Sequence, residues 1–522
     1  MRHTPILITL IFFAITACSS TDEPDQVTCL ADDSDVAVLE TADGIQFVQT
    51  PDERFNGLEG YAFAPNYAPV DGLRMHYVDA GPSDGETILL LHGEPSWSYL
   101  YRTTINALAS AGYRVVAPDL IGMGRSDKPI DIGVHTYAQH IAWVKQFIDQ
   151  LDLQQITLVA HDWGGLIGLR VLGDSPDRFV RAVALNTALP VIDPGANPYV
   201  MPESTEVDCD LGDFAPSDFQ TWIEYALRAP DLRPSQIVQT GTSSELTPLQ
   251  LAAYDAPYPS FIYKAAIRAF PSMITAVSNE NAAAWNALGS FDRPFLTLWG
   301  ELDPNLGTED RQNALVNHVP GASDEYHERF AAGHFLQEDL GTTLAATISF
   351  FLTTHPIGAP DCWEPTPDPN GMDCQAICDY VLECNPSHPR GICMQSCQVV
   401  APYLTVQASD AVSPCMLSKE CSSFGTFGEA LDGCMAPLIF GGQITPAPGN
   451  EAACETVTPV VEACDPGTNF GTVCTGLAAV FTSESMTKIA DCATASCGDE
   501  LRNCLRASNC TFVYDDVGAI PD

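Results

Sequence analysis

Basic residues are scarce in this sequence. The 522-residue chain has 23 lysines and arginines, of which only five are lysines, against 67 aspartates and glutamates, so its formal net charge is −44. A surface of that charge repels nucleic acid, and no block of basic residues is present to bind phosphates. We therefore expect no nucleic-acid partner. We interpret the acidic balance as a solvated surface suited to salty surroundings.

Long apolar runs are also few, and the N-terminal one is too short to span a bilayer. It covers residues 5–17, "PILITLIFFAITA", and follows Arg2, which predicts a signal peptide over residues 1–17. Residues 15–18, "ITAC", are similar to a bacterial lipobox, which implies cleavage before Cys18 and lipidation of its thiol. Ordinary secretion remains the alternative. The residue after Cys18 is Ser19 and not the acidic residue that signals retention. We therefore expect a lipid anchor in the outer membrane, on its periplasmic or cell-surface side.

The cysteines are unevenly distributed along the chain. Of nineteen, sixteen lie between Cys362 and Cys510, and apart from Cys18 only Cys29 and Cys209 lie outside that region. Export into an oxidising compartment favours disulfides, and a Cys29–Cys209 bridge is possible by elimination, although sequence does not fix connectivity. In the C-terminal region, C-x3-C spacings place thiols one helical turn apart. This favours disulfide-linked helical hairpins over zinc sites.

Between Gly44 and His355, apolar strand-like runs alternate with helical patterns. Runs such as "TILLLHG" and "ITLVAHD" are bounded by turn residues, and Thr136 to Leu151 has helical periodicity. This alternation predicts an α/β fold with a mostly parallel sheet covered by helices on both faces. The alternation of strand-like runs and helical patterns stops between Asn186 and Phe291, and this segment has a helical pattern only. This predicts a helical cap at about residues 187–290.

The predicted organisation has five parts. They are a signal peptide (1–17), a tether (18–43), the α/β domain with its cap (44–355), a Pro-rich linker (356–371), and a disulfide-rich, mainly helical C-terminal domain (372–522). We find no nucleophile and base pattern in the last of these. We expect a structural or adhesive role for it, with an unidentified surface partner.

Residues 158–165, "LVAHDWGG", have the pattern of the nucleophile elbow of an α/β-hydrolase fold, a sharp strand-to-helix turn. That turn usually carries serine in G-x-S-x-G, but here its centre is Asp162. A carboxylate is already ionised, so it can displace a leaving group from saturated carbon and form an ester on the enzyme. A histidine must then activate water to hydrolyse that ester. The elbow therefore predicts a two-step reaction on a halide or an epoxide.

The fold's chain order of nucleophile, acid and base selects the partners of Asp162. "AAGHFLQED" supplies His334 as the base, and "LWGELDPNLG" supplies Asp303 as the acid, although a turn carboxylate or a loop metal ligand is the alternative for Asp303. An oxyanion hole needs two backbone N–H groups. We assign these to Trp163, just after the nucleophile, and to Glu94 in "HGEPSWSYLYR".

Together, "HGEPSWSYLYR", "AHDWGG", "LWGELDPNLG" and "AGHFLQE" resemble the haloalkane dehalogenases of the α/β-hydrolase superfamily, over about residues 44–355. The resemblance implies hydrolysis of an alkyl halide to an alcohol and a halide ion, with no cofactor and no metal. It implies that Trp163 is one halide donor, because an indole N–H donates without accepting.

The second halide donor distinguishes subfamilies. Glu94 stands where one group has asparagine, so the chain is similar to the group that pairs HGEP with a cap tryptophan, which implies Trp222 as the second donor. Asn186 stands where the other group has its acid, which supports Asp303. By the same resemblance, Phe219, Phe270 and Pro271 would line an apolar pocket.

Two other functions remain open from the sequence. An epoxide hydrolase shares the elbow but needs cap tyrosines to protonate the epoxide oxygen, and the candidates are Tyr225, Tyr254, Tyr258 and Tyr263. A cell-surface binding protein could use the hydrolase fold only as a scaffold for the Cys-rich region. HGEP and Trp222 favour the dehalogenase over the first alternative, and a complete nucleophile, base and acid favour an enzyme over the second.

Overall fold

The structure is a computed structural model that describes residues 29–355, except residues 31, 194, 213, 215, 278, 324 and 326, together with residues 357, 376–377 and 455. The predicted signal peptide and lipidation site lie outside the described residues. So do the Pro-rich linker and the Cys-rich domain, apart from these last positions.

The strands of the described residues follow in chain order. They are β1 (Leu39–Glu40), β2 (Gln46–Val48), β3 (Asn66–Val70), β4 (Leu73–Ala80), β5 (Thr87–Leu91), β6 (Arg114–Pro118), β7 (Lys128–Pro129), β8 (Ile156–His161), β9 (Phe179–Leu185), β10 (Phe295–Gly300) and β11 (Glu328–Phe330).

The α-helices of the same residues are α1 (Arg102–Ser110), α2 (Tyr137–Gln150), α3 (Asp162–Asp174), α4 (Phe219–Arg228), α5 (Pro234–Gly241), α6 (Pro248–Asp255), α7 (Ala265–Met273), α8 (Ala282–Leu288), α9 (Glu309–Val316), α10 (Leu336–Leu340) and α11 (Thr342–Thr354). Short 3-10 helices cover Asp52–Phe55, Ser98–Tyr101, Ile132–Val134, Pro176–Arg178, Phe261–Lys264, Ile274–Ala276, Asn279–Asn281 and Pro320–Ala322.

Eight strands form one sheet in the order β11-β10-β9-β8-β5-β6-β4-β3. The strands from β11 to β6 run parallel, whereas β4 pairs antiparallel with both β6 and β3. All residues of β8 and β10 are buried, as expected for central strands covered on both faces. The predicted α/β-hydrolase fold with a mostly parallel sheet is confirmed.

Helix α2 illustrates how the sequence determines a local element. The side chain of Thr136 accepts a hydrogen bond from the main-chain N–H of Gln139 and so caps the helix N-terminus. Ile141, Val144, Phe147 and Ile148 recur at helical spacing and are buried against the sheet. The predicted helix over residues 136–151 agrees with the observed bounds to within one residue at each end.

The segment between β9 and β10, which the sequence predicts to be a helical cap, contains α4 to α8. Helix α8 packs on α3, where a side chain on Gly173 would collide with Ala284. Because α3 starts at the elbow and packs on the sheet, α8 is in contact with the α/β domain through α3. We call the remaining helices of the segment, α4 to α7, the cap.

The N-terminal part of the described chain is fastened to the cap. Cys29 and Cys209 form a disulfide, as the elimination argument allowed. Asp33 accepts a hydrogen bond from the main-chain N–H of Ile262, and Thr50 donates to the main-chain oxygen of Pro257. Nearby, β2 pairs with β1 and β7 in a small antiparallel sheet. Residues from Cys29 onward, which the sequence indicates as a tether, thus pack on the domain.

No helix among the described residues is long and apolar enough to cross a membrane.

The disulfide should contribute measurably to stability, because it closes a loop with a sequence separation of 180 residues. We expect the double variant Cys29→Ser, Cys209→Ser to be less stable by roughly 2–4 kcal/mol, with a lower Tm. Differential scanning calorimetry on the full chain measures this, with wild type as the reference. An unchanged Tm would show that the bridge constrains nothing in the unfolded chain.

Candidate active site

The candidate residues lie at the carboxyl ends of neighbouring parallel strands. Glu94 follows β5, Asp162 follows β8, Asp303 follows β10 and His334 follows β11. Because these strands belong to the parallel run β11-β10-β9-β8-β5, their carboxyl ends meet at one edge of the sheet. The topology thus brings residues together that are separated by more than 200 positions in sequence.

Asp162 sits in a strained turn between β8 and α3. Its φ of 51° is in the left-handed region, which non-glycine residues rarely adopt. The chains cross so closely here that a side chain on Gly164 would collide with the main-chain oxygens of Leu91 and His92. A side chain on Gly93 would collide with the carboxylate of Asp162. These two glycines allow the elbow to form against the end of β5.

Two main-chain N–H groups contact the Asp162 carboxylate. The N–H of Glu94 donates to Oδ1 at 2.9 Å, and the N–H of Trp163 also bonds the carboxylate. Burial raises the pKa of Asp162, while His334 and these two N–H groups oppose that rise. Both N–H groups that the sequence indicates as an oxyanion hole are therefore directed at the nucleophile. The first turn of α3 adds its favourable dipole.

His334 lies between the two aspartates. Its Nδ1–H donates to Asp303 Oδ2 at 2.6 Å, and its Nε2 lies 3.5 Å from Asp162 Oδ2. Burial disfavours the charged imidazole, but Asp303 and then Asp162 outweigh it and raise the pKa of His334 to about 9. Burial also disfavours the Asp303 carboxylate, yet His334 and hydrogen bonds hold the pKa of Asp303 below its ordinary value. The three residues form a nucleophile–base–acid arrangement.

Asn186 has a positioning role that the sequence reasoning missed. Its Nδ2 donates to Asp303 Oδ2 at 2.9 Å, and its Oδ1 accepts from the N–H of Gly300 at 2.6 Å. The N–H groups of Asn305 and Leu306 donate to the other oxygen, Asp303 Oδ1. With His334, four donors thus fix the carboxylate. Asn186 directly follows β9, so the sequence places it at the same edge of the sheet as the other candidates.

The side chain of Glu94 is buried beside the nucleophile. Its Oε1 has no hydrogen-bond partner among the described residues, and burial and then the charge of Asp162 raise its pKa well above the usual range. His92 fixes the preceding turn, because its Nδ1–H donates to the oxygen of Gly93 while its Nε2 accepts from the N–H of Leu120. The main chain of Glu94 is thereby fixed at the oxyanion position.

Trp163 and two of the predicted pocket residues lie together. Trp163 is buried, and its ring contacts that of Phe270 edge to face at 5.6 Å between centroids. Phe270 and Pro271 are buried neighbours on α7. Within the described part of the chain, the Trp163 indole N–H has no protein acceptor, which leaves it available to an anion.

The structure places the other aromatic candidates on α4. Trp222 is half-buried and contacts the rings of Phe214 and Tyr225. Phe219, at the start of the helix, contacts Tyr199. These contacts do not join Trp222 to Trp163, so the pairing of the two indoles as halide donors remains a prediction.

No group of three or more histidine, cysteine, aspartate or glutamate side chains that could hold a metal ion occurs among the residues described.

The fold and the elbow define an α/β hydrolase, and residues 86–339 match the model of the alpha/beta hydrolase fold family. A haloalkane dehalogenase of Mycobacterium marinum is 45% identical over 311 residues, which cover 58% of this chain and 98% of that protein. A haloalkane dehalogenase of Psychrobacter cryohalolentis is 40% identical over 323 residues, which cover 60% and 100%.

Among solved structures, the tetrameric haloalkane dehalogenase of Paraglaciecola agarilytica matches with a TM-score of 0.50 and 32% identity, covering 58% of this chain and 97% of that one. The chain belongs to the haloalkane dehalogenase family of α/β hydrolases.

The raised pKa of His334 predicts a pH dependence of stability. A histidine whose pKa rises on folding from 6.5 to about 9 stabilises the fold fully below pH 6.5, and this contribution is lost as the pH rises through about 9. As the pH rises over that range, we expect the Tm of wild type to fall relative to the Tm of the His334→Phe variant. Differential scanning fluorimetry from pH 6 to pH 10 measures it. Lys128, whose pKa burial lowers to about 7, is present in both proteins and cancels. A pH-independent difference would contradict the raised pKa.

Proposed function

We propose that the chain hydrolyses a haloalkane through an ester on Asp162. The main support for this proposal is that the two carboxylate oxygens of Asp162 have different contacts. Oδ1 accepts a hydrogen bond from the N–H of Glu94, whereas Oδ2 faces His334 without a short hydrogen bond. Oδ2 attacks the halogen-bearing carbon. A C–O bond forms, the carbon–halogen bond breaks, and the halide leaves with the bonding electrons.

The second step hydrolyses the ester. His334 Nε2 takes a proton from water, and the water oxygen bonds to the carboxyl carbon of Asp162. The resulting oxyanion lies at Oδ1, where the N–H groups of Glu94 and Trp163 stabilise it. Collapse breaks the bond between the carboxyl carbon and Oδ2, so the alcohol leaves with that oxygen and a proton, and the water oxygen replaces it in the regenerated Asp162 carboxylate. The net products are an alcohol, a halide ion and a proton.

Electrostatics support this order of steps. In the free enzyme the negative charge of Asp162 helps to raise the pKa of His334. Esterification removes that charge, so the imidazole becomes easier to deprotonate when a base is needed. Asp303 remains ionised and stabilises the imidazolium that forms. Formation of the ester on Asp162 thus favours the neutral form of His334 that the second step needs.

The epoxide alternative needs a cap tyrosine hydroxyl that is free to protonate the epoxide oxygen. Tyr254 is buried and its hydroxyl donates to Glu338, which also pairs with Arg102. Tyr258 is buried, and its hydroxyl makes no side-chain hydrogen bond among the described residues, so it is the candidate that an epoxide test addresses. The family membership and the buried Trp163 favour halide over epoxide.

The purified chain should release bromide from 1-bromobutane or 1,2-dibromoethane and acidify a weak buffer. Asp162→Ala should abolish release, because the nucleophile is lost. His334→Phe should release about one bromide per active site and then stop, with the alkyl ester on Asp162 visible as a mass increase. Ion chromatography and intact-protein mass spectrometry measure these results. Activity on styrene oxide without bromide release would overturn the dehalogenase assignment in favour of an epoxide hydrolase.

We propose that Trp222 is the second halide donor, by resemblance to the HGEP group. Trp222→Phe keeps an aromatic ring but removes the N–H, so bromide affinity should fall about tenfold or more, by the loss of one hydrogen bond to a charged group. Trp285→Phe is the matched control, because Trp285 stacks on His318 instead. Fluorescence quenching by bromide measures affinity. Equal affinities in wild type and Trp222→Phe would remove Trp222 from the site.

Two further proposals rest on sequence alone. Lipidation of Cys18 would anchor the enzyme to the outer membrane. The Cys-rich region, residues 372–522, would form a disulfide-rich domain with a structural or adhesive role. Both concern residues outside the described part of the chain, apart from residues 376–377 and 455.

A further inference from the structure

His334 is carried by a short segment with contacts on two sides. We call residues 331–335, between β11 and α10, the base loop. The imidazole itself is oriented by Asp303, but that single hydrogen bond does not fix the main chain that carries it. The main-chain contacts of the base loop therefore decide how far Nε2 stays from the nucleophile.

From the sheet side, His161 holds the base loop. It is the last residue of β8, directly before the nucleophile, and it is fully buried. Its Nε2–H donates to the main-chain oxygen of His334 at 2.8 Å, and the two rings lie 4.7 Å apart. A carbonyl oxygen only accepts, so Nε2 carries the proton; burial and then His334 lower the pKa of His161, which keeps it neutral. The end of strand β8 is thus hydrogen-bonded directly to the main chain of His334.

From the cap side, Asp339 holds the base loop. Its Oδ2 accepts from the N–H of Gly333 at 2.7 Å and from the N–H of Ser243 at 3.0 Å. Its Oδ1 accepts from the N–H of Ser244 at 2.8 Å and from the hydroxyl of the same serine at 2.6 Å. One carboxylate therefore joins the base loop to residues 241–244, which end cap helix α5.

Two further contacts make this junction tight. The N–H of Phe335 donates to the main-chain oxygen of Gly241 at 3.2 Å. A side chain on Gly333 would collide with that same oxygen, and one on Gly241 would collide with the ring of Phe335. The base loop and the end of α5 thus lie in direct main-chain contact.

We propose that His161 and Asp339 are positioning residues that hold His334 over Asp162 for the water-activating step. The proposal rests on the proposed function, because it assigns the two residues to the second step of that reaction. The first step needs only Asp162 and the halide donors, so loosening the base loop should spare it. The second step needs Nε2 within reach of a water beside the ester, and small displacements of a catalytic group cost large factors in rate.

The test compares the first and second steps in the full chain. In His161→Phe the ring remains but the donor is lost, and in Asp339→Asn an N–H2 group replaces one of two accepting oxygens. For both, we expect a bromide burst of about one per site at near wild-type rate, followed by a steady-state rate reduced about tenfold or more. The alkyl ester on Asp162 should accumulate. Rapid-quench bromide measurement with 1-bromobutane and mass spectrometry follow the two steps.

Conservative and control variants separate positioning from general damage. His161→Gln restores an N–H donor at the position of Nε2 and should recover most of the steady-state rate. His318→Gln is the matched histidine control, because His318 also bonds a main-chain oxygen, that of Trp285, but away from the site. Asp310→Asn is the aspartate control, because Asp310 is exposed on α9. Both controls should keep the wild-type ratio of burst to steady state.

Three outcomes would overturn the positioning roles. They are a steady-state rate in His161→Phe and Asp339→Asn equal to wild type, burst and steady state falling together, or no rescue by His161→Gln. If His161→Phe does not fold, His161→Leu takes its place, because it also removes the donor and is closer in volume to histidine, while Asp339→Asn tests the second residue independently. If wild type itself releases no bromide, the proposed function fails. If wild type is active and the variants match it, only the positioning roles fail.

Discussion

The close crossing of β5 and α3 at the elbow is the constraint on which the site depends. Gly93 and Gly164 permit an approach that any side chain would block, and the strain is concentrated in the left-handed backbone of Asp162. This approach places the N–H of Glu94 on the carboxylate, so the same crossing that exposes the nucleophile also builds the oxyanion site. A looser turn would separate these two functions, since a donor one ångström farther away stabilises little charge.

The charges of Asp162, His334 and Asp303 lie close together around this turn, so each influences the pKa values of the others. His334 lies between two carboxylates of which one, Asp303, is fixed by four donors, and the other, Asp162, is consumed in the first step of the proposed reaction. Asp303 orients the imidazole throughout and favours its charged form. Asp162 raises the pKa of His334 only before the ester forms. The buried side chain of Glu94, whose Oε1 has no partner among the described residues, adds no such constraint, because its raised pKa favours the neutral acid.

Much of this arrangement could be predicted from the sequence, because strand ends and local turns have local signals. Central strands such as β5 and β8 and the helix from Tyr137 follow from apolar runs and helical periodicity, and the chain order predicts Asp162, His334 and Asp303 as nucleophile, base and acid. What could not be predicted depends on contacts between distant segments. Asn186 directly follows a strand, but the sequence does not show that its side chain bonds Asp303, nor that Asp339 bonds Ser243. The placement of α8 on α3 likewise depends on packing that no periodicity shows.

The helices of the cap differ in their contacts with the base loop. Residues 241–244 are held to the base loop by main-chain contacts and by Asp339, so a shift there displaces His334. Helix α4, which carries Trp222 and Phe219, instead packs on α7 and buries Ile223, Ala226 and Leu227. In the proposed reaction, changes at the end of α5 would therefore alter the position of the base, whereas α4 makes none of these contacts with the base loop. The water-activating step would thus depend on the end of α5 and not on α4.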